Sequence, residues 1–487
     1  MKRIIIVIGI LSVLLGLSQC RKPVFGSSDI NTGDCERTVT FMAGGNGKGD
    51  FELVSGALKY KWNENDKIYV YCFDDGMNAK GFAGVLTTTS SNISAGGYSA
   101  RFDGKVKILS GSTKFRFIHF GSYFDDEIMS GDDINTVEAD FSSQDGDIAT
   151  VASKSVSVCD TKITSDCVYD DNCKLKIQYA LLKMDLSNLV GANLDGATPS
   201  GVTSIAITGN LQNNKIKIDN KGVISYVVSS SATTMMTISN PANLQNVYVI
   251  VATAGGNYPL VFTNGKYEGK IELNLESNKF YHGSEESNYS FVLPCYVDLG
   301  IGKWATCNVG ALHPGESGDY FQWGGVEPVT GTVGWKGCPH TDCDIHGVYS
   351  DDHKNVFTKY TTDNAYVASG YSVDNKTELE AVDDAATKNY GSGWCMPTRE
   401  QFEELLKCTC LTLENYKGTK VKGMLIYKDD ATVNIFLPTS CSYWTRTVQN
   451  SGSSLKYNQN AYSYASDADG FKGRYRCNGR SVRPVRK

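Results

Sequence analysis

The sequence predicts a mainly β protein, two β-sandwich domains followed by a smaller α+β module. Short alternating runs such as RTVTF (Arg37 to Phe41) and KIYVYCF (Lys67 to Phe73) recur from Glu36 to about Phe291 with turn residues between them. That period of two is the signature of strands. The composition agrees, with 49 Gly and 27 Tyr but few long helical periodicities, as in β-rich surface proteins. Capped helical segments stand out only after residue 380. At 487 residues the chain has room for about three domains of ~100–200 residues.

Lys2 and Arg3 precede an unbroken run of apolar or small residues from Ile4 to Leu17, then Ser18, Gln19 and Cys20. The run is shorter than the ~20 residues a membrane helix needs, so residues 1–19 read as a secretory signal. Leu17-Ser18-Gln19-Cys20 resembles a bacterial lipobox, in which the Cys is lipidated and becomes the first mature residue. Cys20 is therefore the expected lipidation site, with palmitate-type acyl chains holding the protein to the outer membrane at ~0.8 kcal/mol per buried methylene. The alternative is ordinary signal-peptidase cleavage and a soluble secreted product. Residues 20–35 form a linker that lacks an acidic export stretch, so the leaflet stays open.

Residues 36–155 and 156–291 are the two expected sandwiches. Beyond the runs already named, Phe115 to Phe120, Leu175 to Met184 and Val247 to Thr253 are rich in β-formers. In PLVFTNGKYEGKIEL, Asn264-Gly265 separates two alternating runs, which predicts a hairpin with a type I′ turn. Of 15 Cys, Cys159, Cys167 and Cys173 cluster in one stretch where a local disulfide is expected.

RTVTF together with KWNENDKIYVY (Lys61 to Tyr71), SSQDGDIATVAS (Ser142 to Ser153), KLKIQYALLKMDL (Lys174 to Leu186) and KIELNLESNKFYH (Lys270 to His282) resembles the fimbrillin family of Bacteroidales pili. That resemblance implies subunits that polymerise by strand exchange, after an Arg-specific protease removes an N-terminal strand; physically this is β-augmentation. Arg37 is the candidate cleavage site, with an ordinary exposed linker Arg as the bland alternative. A generic pair of Ig-like spacer domains competes with this reading.

From 292 to 487 a string of landmarks follows: VDLG (Val297 to Gly300), WATCNVGA, GDYFQWG, GSGWCMPT, IFLP (Ile435 to Pro438), YWTRT and SVRPV (Ser481 to Val485). The string resembles the Fibrobacter succinogenes major paralogous domain and, through it, the C-type lectin fold, over about two-fifths of the chain. The resemblance implies that Val297 to Trp304 pairs with Ser481 to Val485, and that Cys307 and Cys408 are core or bridge residues. From the residues themselves, Asp383 or Asp384 caps a short helix that stops at Gly391 and Gly393. Thr398 and Gln401 have capping-box spacing ahead of Phe402, Leu405 and Leu406. Trp304, Trp323, Trp394 and Trp444 are expected to pack the core.

No catalytic constellation emerges. Cys408-Thr-Cys410 invites comparison with the copper-binding thiol pair of formylglycine-generating enzymes, a less favoured enzyme alternative, but lies elsewhere in the module. GGNGKGD (Gly44 to Asp50) lacks the P-loop spacing. Cys338, His340, Cys343, His346 and His353 form a metal-like cluster whose spacing fits no zinc module, so a Cys338 to Cys343 disulfide is the preferred reading. No cofactor or metal is expected. A formal charge of -6 gives no field for nucleic acid. Lys472, Arg474, Arg476, Arg480, Arg483, Arg486 and Lys487 form either a basic stripe for sulfated or sialylated glycans or, preferably, a solvated edge that resists aggregation.

The expectation is a non-enzymatic cell-envelope lipoprotein, a fimbrial tip or accessory subunit or adhesin, with a β-sandwich stalk and a lectin-like head. Its expected partners are the membrane through Cys20, pilin subunits by strand exchange, and a glycan or protein ligand at the head. The inserts Gly324 to Ser372 and Thr447 to Lys472 would carry specificity. The alternative function is a surface glycan-binding lipoprotein unrelated to pili.

Overall fold

The computed structural model describes residues 34–487 except 45–50, 55–56, 126, 131–132, 170–172, 200–203, 210–212, 229–235, 283–290, 293, 330–356, 450–459 and 466–469. The signal segment, Cys20 and the cluster from Cys338 to His353 lie outside the described residues. So do most of GGNGKGD and part of each expected specificity insert.

The first strand, Cys35–Gly44, pairs antiparallel with Ser99–Ile108 at every position. Val39, Phe41 and Ala43 point inward, as the alternation predicts. These strands belong to an eight-stranded sheet whose order is Val168–Tyr169, Cys35–Gly44, Ser99–Ile108, Ala79–Thr87, Lys67–Phe73, Lys114–Phe120, Val156–Lys162 and Lys176–Ile177. The sheet curls until Phe41 meets Phe117, with ring centroids 4.6 Å apart. One face encloses Phe41, Val70, Phe102 and Phe117. The other packs Tyr69, Tyr71 and Ile118 against Leu181 and Ile250 of a four-stranded sheet. Lys67–Phe73 is thus buried on both sides, which explains why six consecutive residues of KIYVYCF are buried.

This sheet continues beyond the boundary expected at residue 155. Asp147 caps a short helix, Ile148–Ser153, by accepting from Ala149 N. The chain then re-enters the first sheet, where Val156–Lys162 pairs with Lys114–Phe120 at all seven positions. A disulfide joins Cys159 to Cys173, while Cys167 is buried with a free thiol. Cys477 is disulfide-bonded as well.

The hairpin forms from Gly256–Thr263 and Tyr267–Leu275, but its turn is not type I′. Gly265 has φ of +88°, whereas Asn264 is absent from the left-handed residues. Asn264 serves through its side chain instead. Its Oδ1 accepts from Lys266 N and Tyr267 N at 3.0 and 2.8 Å, and its Nδ2 donates to Leu189 O at 2.6 Å.

A nine-stranded sheet crosses the second expected boundary, between residues 291 and 292. Its order is Ser143–Gln144, Met236–Ser239, Ser204–Gly209, Gly256–Thr263, Tyr267–Leu275, Cys295–Asp298, Lys303–Ala305, Val485–Arg486 and Trp394–Cys395. The crossing is the register Tyr267↔Val297, Glu268↔Tyr296 and Gly269↔Cys295. One hydrophobic core accordingly contains Leu182, Ile207 and Phe262 from the middle region with Trp304, Phe402, Leu437 and Val485 from the C-terminal region.

Within the C-terminal region the first and last strands meet, with Trp304 opposite Val485. Ala305 N donates to Pro484 O and Val309 N to Val482 O, both at 2.9 Å. Asp384 caps the helix Ala385–Tyr390 and Gly391 ends it with φ of +95°. Thr398 and Gln401 form both halves of the capping box ahead of Arg399–Leu406. Phe402 and Leu405 are buried beneath that helix, with Leu406 packed beside them. Among the described residues no helix is long and apolar enough to cross a membrane.

Candidate functional site

The middle β-region and the C-terminal module are locked together along one loop. The loop Ser187 to Ala192 runs along the module and is clasped at several points. Asn434, 1% exposed, accepts from Ala192 N at 3.1 Å and donates to Ala192 O at 2.8 Å. The Tyr267 hydroxyl donates to Asn434 O and accepts from Asn434 N, both at 2.8 Å. Asn188 Nδ2 reaches Leu312 O at 2.8 Å. These bonds satisfy buried polar groups on both sides, so each side completes the other.

Lys417 closes the same junction. Its Nζ donates to Val190 O at 2.6 Å and Ser187 O at 3.2 Å. Burial draws its pKa down from 10.5 to about 8. Between these values the unfolded chain holds more protons than the folded one, so this residue's contribution to stability rises with pH. The unfolding free energy of wild type relative to Lys417→Met is expected to rise by about 1 kcal/mol from pH 8 to 10, below the fully buried limit because Lys417 is half-buried. Urea titrations at each pH measure it, and a flat difference would count against the assignment.

Four of the five C-terminal arginines are engaged within the fold rather than forming a solvated edge. Arg483 is 0% exposed. Its Nε donates to Asn308 Oδ1 at 2.8 Å, Nη1 to Ala305 O at 3.1 Å and to Thr306 O, and Nη2 to Phe436 O at 3.0 Å. Arg476 lies over the rings of Phe357 and Trp323, 4.3 and 4.7 Å from their centroids, and donates to Tyr360 O at 2.7 Å. Arg480 lies over Trp444 and Arg486 over Tyr296, at 5.3 and 4.5 Å. The guanidinium groups that looked like a solvated edge are therefore interior struts and aromatic partners. Trp304, Trp323 and Trp444 are buried in the core. Trp394 is half-buried and packs edge-on against Tyr296 and Tyr390.

Arg37 is exposed and lies inside the first strand, opposite Val106, rather than ahead of it. A cut after Arg37 leaves Thr38 to Gly44 paired with Ser99 to Lys105. Cys408 and Cys410 flank the end of the second C-terminal helix, where their thiols face Glu404 O and Leu406 O. Burial raises the pKa of both, which keeps them protonated and poor as nucleophiles near neutral pH. Cys307 is buried and unbridged. Among the described residues no group of three or more His, Cys, Asp and Glu could hold a metal ion.

No protein-family model matches the chain, and no curated protein matches it. Among solved structures it is similar to a protein provisionally assigned to cell adhesion from Bacteroides uniformis, at 13% identity over 50% of this chain and 89% of that one, TM-score 0.29. It is also similar to a fimbrial assembly protein from Parabacteroides distasonis (12% identity, 54% and 95% covered, TM-score 0.25). A third is the fimbrial anchor protein Mfa2 from Porphyromonas gingivalis (12%, 47% and 78%, TM-score 0.23). Values this low identify no family.

Proposed function

We propose that the chain is a cell-envelope adhesion protein, a tip or accessory subunit of a fimbrium, with a β-sandwich stalk and a binding head. The observation that carries this reading is the commitment of its strands. A subunit that extends a polymer by strand exchange needs a strand that can leave its own sheet or a groove waiting for one. Here Cys35–Gly44 is paired at all ten positions with its neighbour. Val485–Arg486 is held between Lys303–Ala305 and Trp394–Cys395. Such a subunit caps or decorates an assembly.

In this reading residues 1–19 direct export, Cys20 carries the lipid anchor, and the inserts Gly324 to Ser372 and Thr447 to Lys472 present the ligand-binding surface for a glycan or a protein. Trimming at the candidate site Arg37 would leave Thr38 to Gly44 in place and is not required for this role. The role is one of binding, without catalysis.

Two measurements test it. Purified mature protein nicked with trypsin is expected to stay monomeric on SDS gels without boiling and by electron microscopy. Long homopolymers would make it a shaft subunit instead. Cys20→Ala is expected to move the protein from the membrane to the soluble fraction, and unchanged fractionation would remove the anchor.

A further inference from the structure

A groove of about 520 Å³ opens between the first sheet and the hairpin of Asn213–Ile218 and Ile224–Val228. Val158 and Ile224 form apolar parts of its lining, and Tyr226 adds an aromatic ring. The Tyr226 hydroxyl donates to Gln178 O at 3.0 Å, which fixes the ring. Arg116 and Asp160 line the same groove as a bidentate pair at 2.7 and 2.8 Å. Arg116 also donates to Gly222 O at 3.0 Å and lies over the Phe73 ring, 4.6 Å from its centroid, so the guanidinium is held in place.

Lys174 and Lys176 line the same groove. Both are exposed, and Leu175 between them is buried. The alternation puts both ammonium groups on one side of an extended segment, with backbones about 7 Å apart. Neither has an ion pair or hydrogen bond from its side chain among the described residues, whereas Arg116 is already neutralised by Asp160. The Cys159–Cys173 disulfide and the pairing of Lys176 with Val158 pin this segment against its neighbouring strand. The groove therefore combines apolar residues in its lining, one oriented aromatic ring, a rigid donor–acceptor platform and two lysines without a charged partner among the described residues.

We propose that this groove binds an anionic saccharide, sugar rings bearing sulfate or carboxylate groups. The apolar face of a sugar ring suits Tyr226, Val158 and Ile224. Its hydroxyls suit the planar Arg116–Asp160 pair, which both donates and accepts, and its anionic substituents suit Lys174 and Lys176. Net charge on the chain is negative, so the two lysines provide local attraction within a surface that repels polyanions generally. The site lies between the first sheet and that hairpin and is independent of the fimbrial reading.

The test is calorimetric titration of the full mature protein at low salt with a heparin-derived octasaccharide, a galacturonate oligosaccharide, a neutral malto-oligosaccharide of matching length and a glutamate peptide of matching charge. Binding of the sulfated or the uronate sugar is expected, and which of the two binds names the anion. Lys174→Gln/Lys176→Gln is expected to weaken it about tenfold, as two partly exposed charge contacts would. Lys472→Gln/Lys487→Gln is expected to leave it unchanged. Absence of binding to both anionic sugars, equal binding of the neutral sugar, equal binding of the peptide, or loss only in the Lys472/Lys487 variant would each overturn the proposal.

Discussion

Replacing Arg483 by Met is expected to lower the unfolding free energy by about 3 kcal/mol. The side chain spends its donors on Asn308 Oδ1 and on the carbonyls of Ala305, Thr306 and Phe436. Met has similar length and fills the space, so the cavity contribution is small. What remains is a set of buried oxygens left without donors, each costing about 1–3 kcal/mol. Relief from burying a charge offsets part of that sum. Urea denaturation with an unchanged slope would measure the effect. Arg486→Gln, at a half-buried position, should change stability far less. Equal and small effects at both positions would show that Arg483 is solvated.

The second large effect concerns separability. A fragment of residues 292–487 is expected not to fold as an isolated domain. Cutting there removes Tyr267–Leu275, the strand beside Cys295–Asp298, and exposes the side of a shared core that holds Trp304, Phe402 and Val485. It also removes Tyr267 from Asn434 and the loop carbonyls from Lys417. In the intact protein, hydrogen exchange should show Tyr267–Leu275 and Cys295–Asp298 opening with one common free energy, as parts of a cooperative unit. A soluble fragment with dispersed amide resonances and cooperative unfolding would refute this.

Local features were legible in the chain because local chemistry decides them. The caps at Asp384 and Thr398 and the hairpin around Gly265 each depend on residues a few positions apart. The pairing of Trp304 with Val485 came from the landmark string rather than from spacing. The domain boundaries at 155 and 291 were not legible. Turn residues do interrupt the chain there, but the strands on either side choose partners by apolar faces that meet only in three dimensions. Arg483 and Arg476 were misplaced for a related reason. Residue type favours the surface for Arg, and only the long-range carbonyls and rings around them make an interior position favourable. The Asn264 turn shows the same limit at short range, since the acceptor at Leu189 O lies 75 residues away.

The nine-stranded sheet that runs from Ser143–Gln144 to Trp394–Cys395 also decides how the molecule carries a mechanical load. Where two domains are joined by a flexible tether, a pull on the outer one first straightens the tether and lets it swivel. Here tension arriving at the module passes sideways through the ladder at Tyr267 to Gly269, alongside the clasp of Asn434 and Lys417. The module behaves as the end of a stiff lever whose angle is set when the protein folds. A force that detaches the module must shear those backbone hydrogen bonds together rather than one at a time.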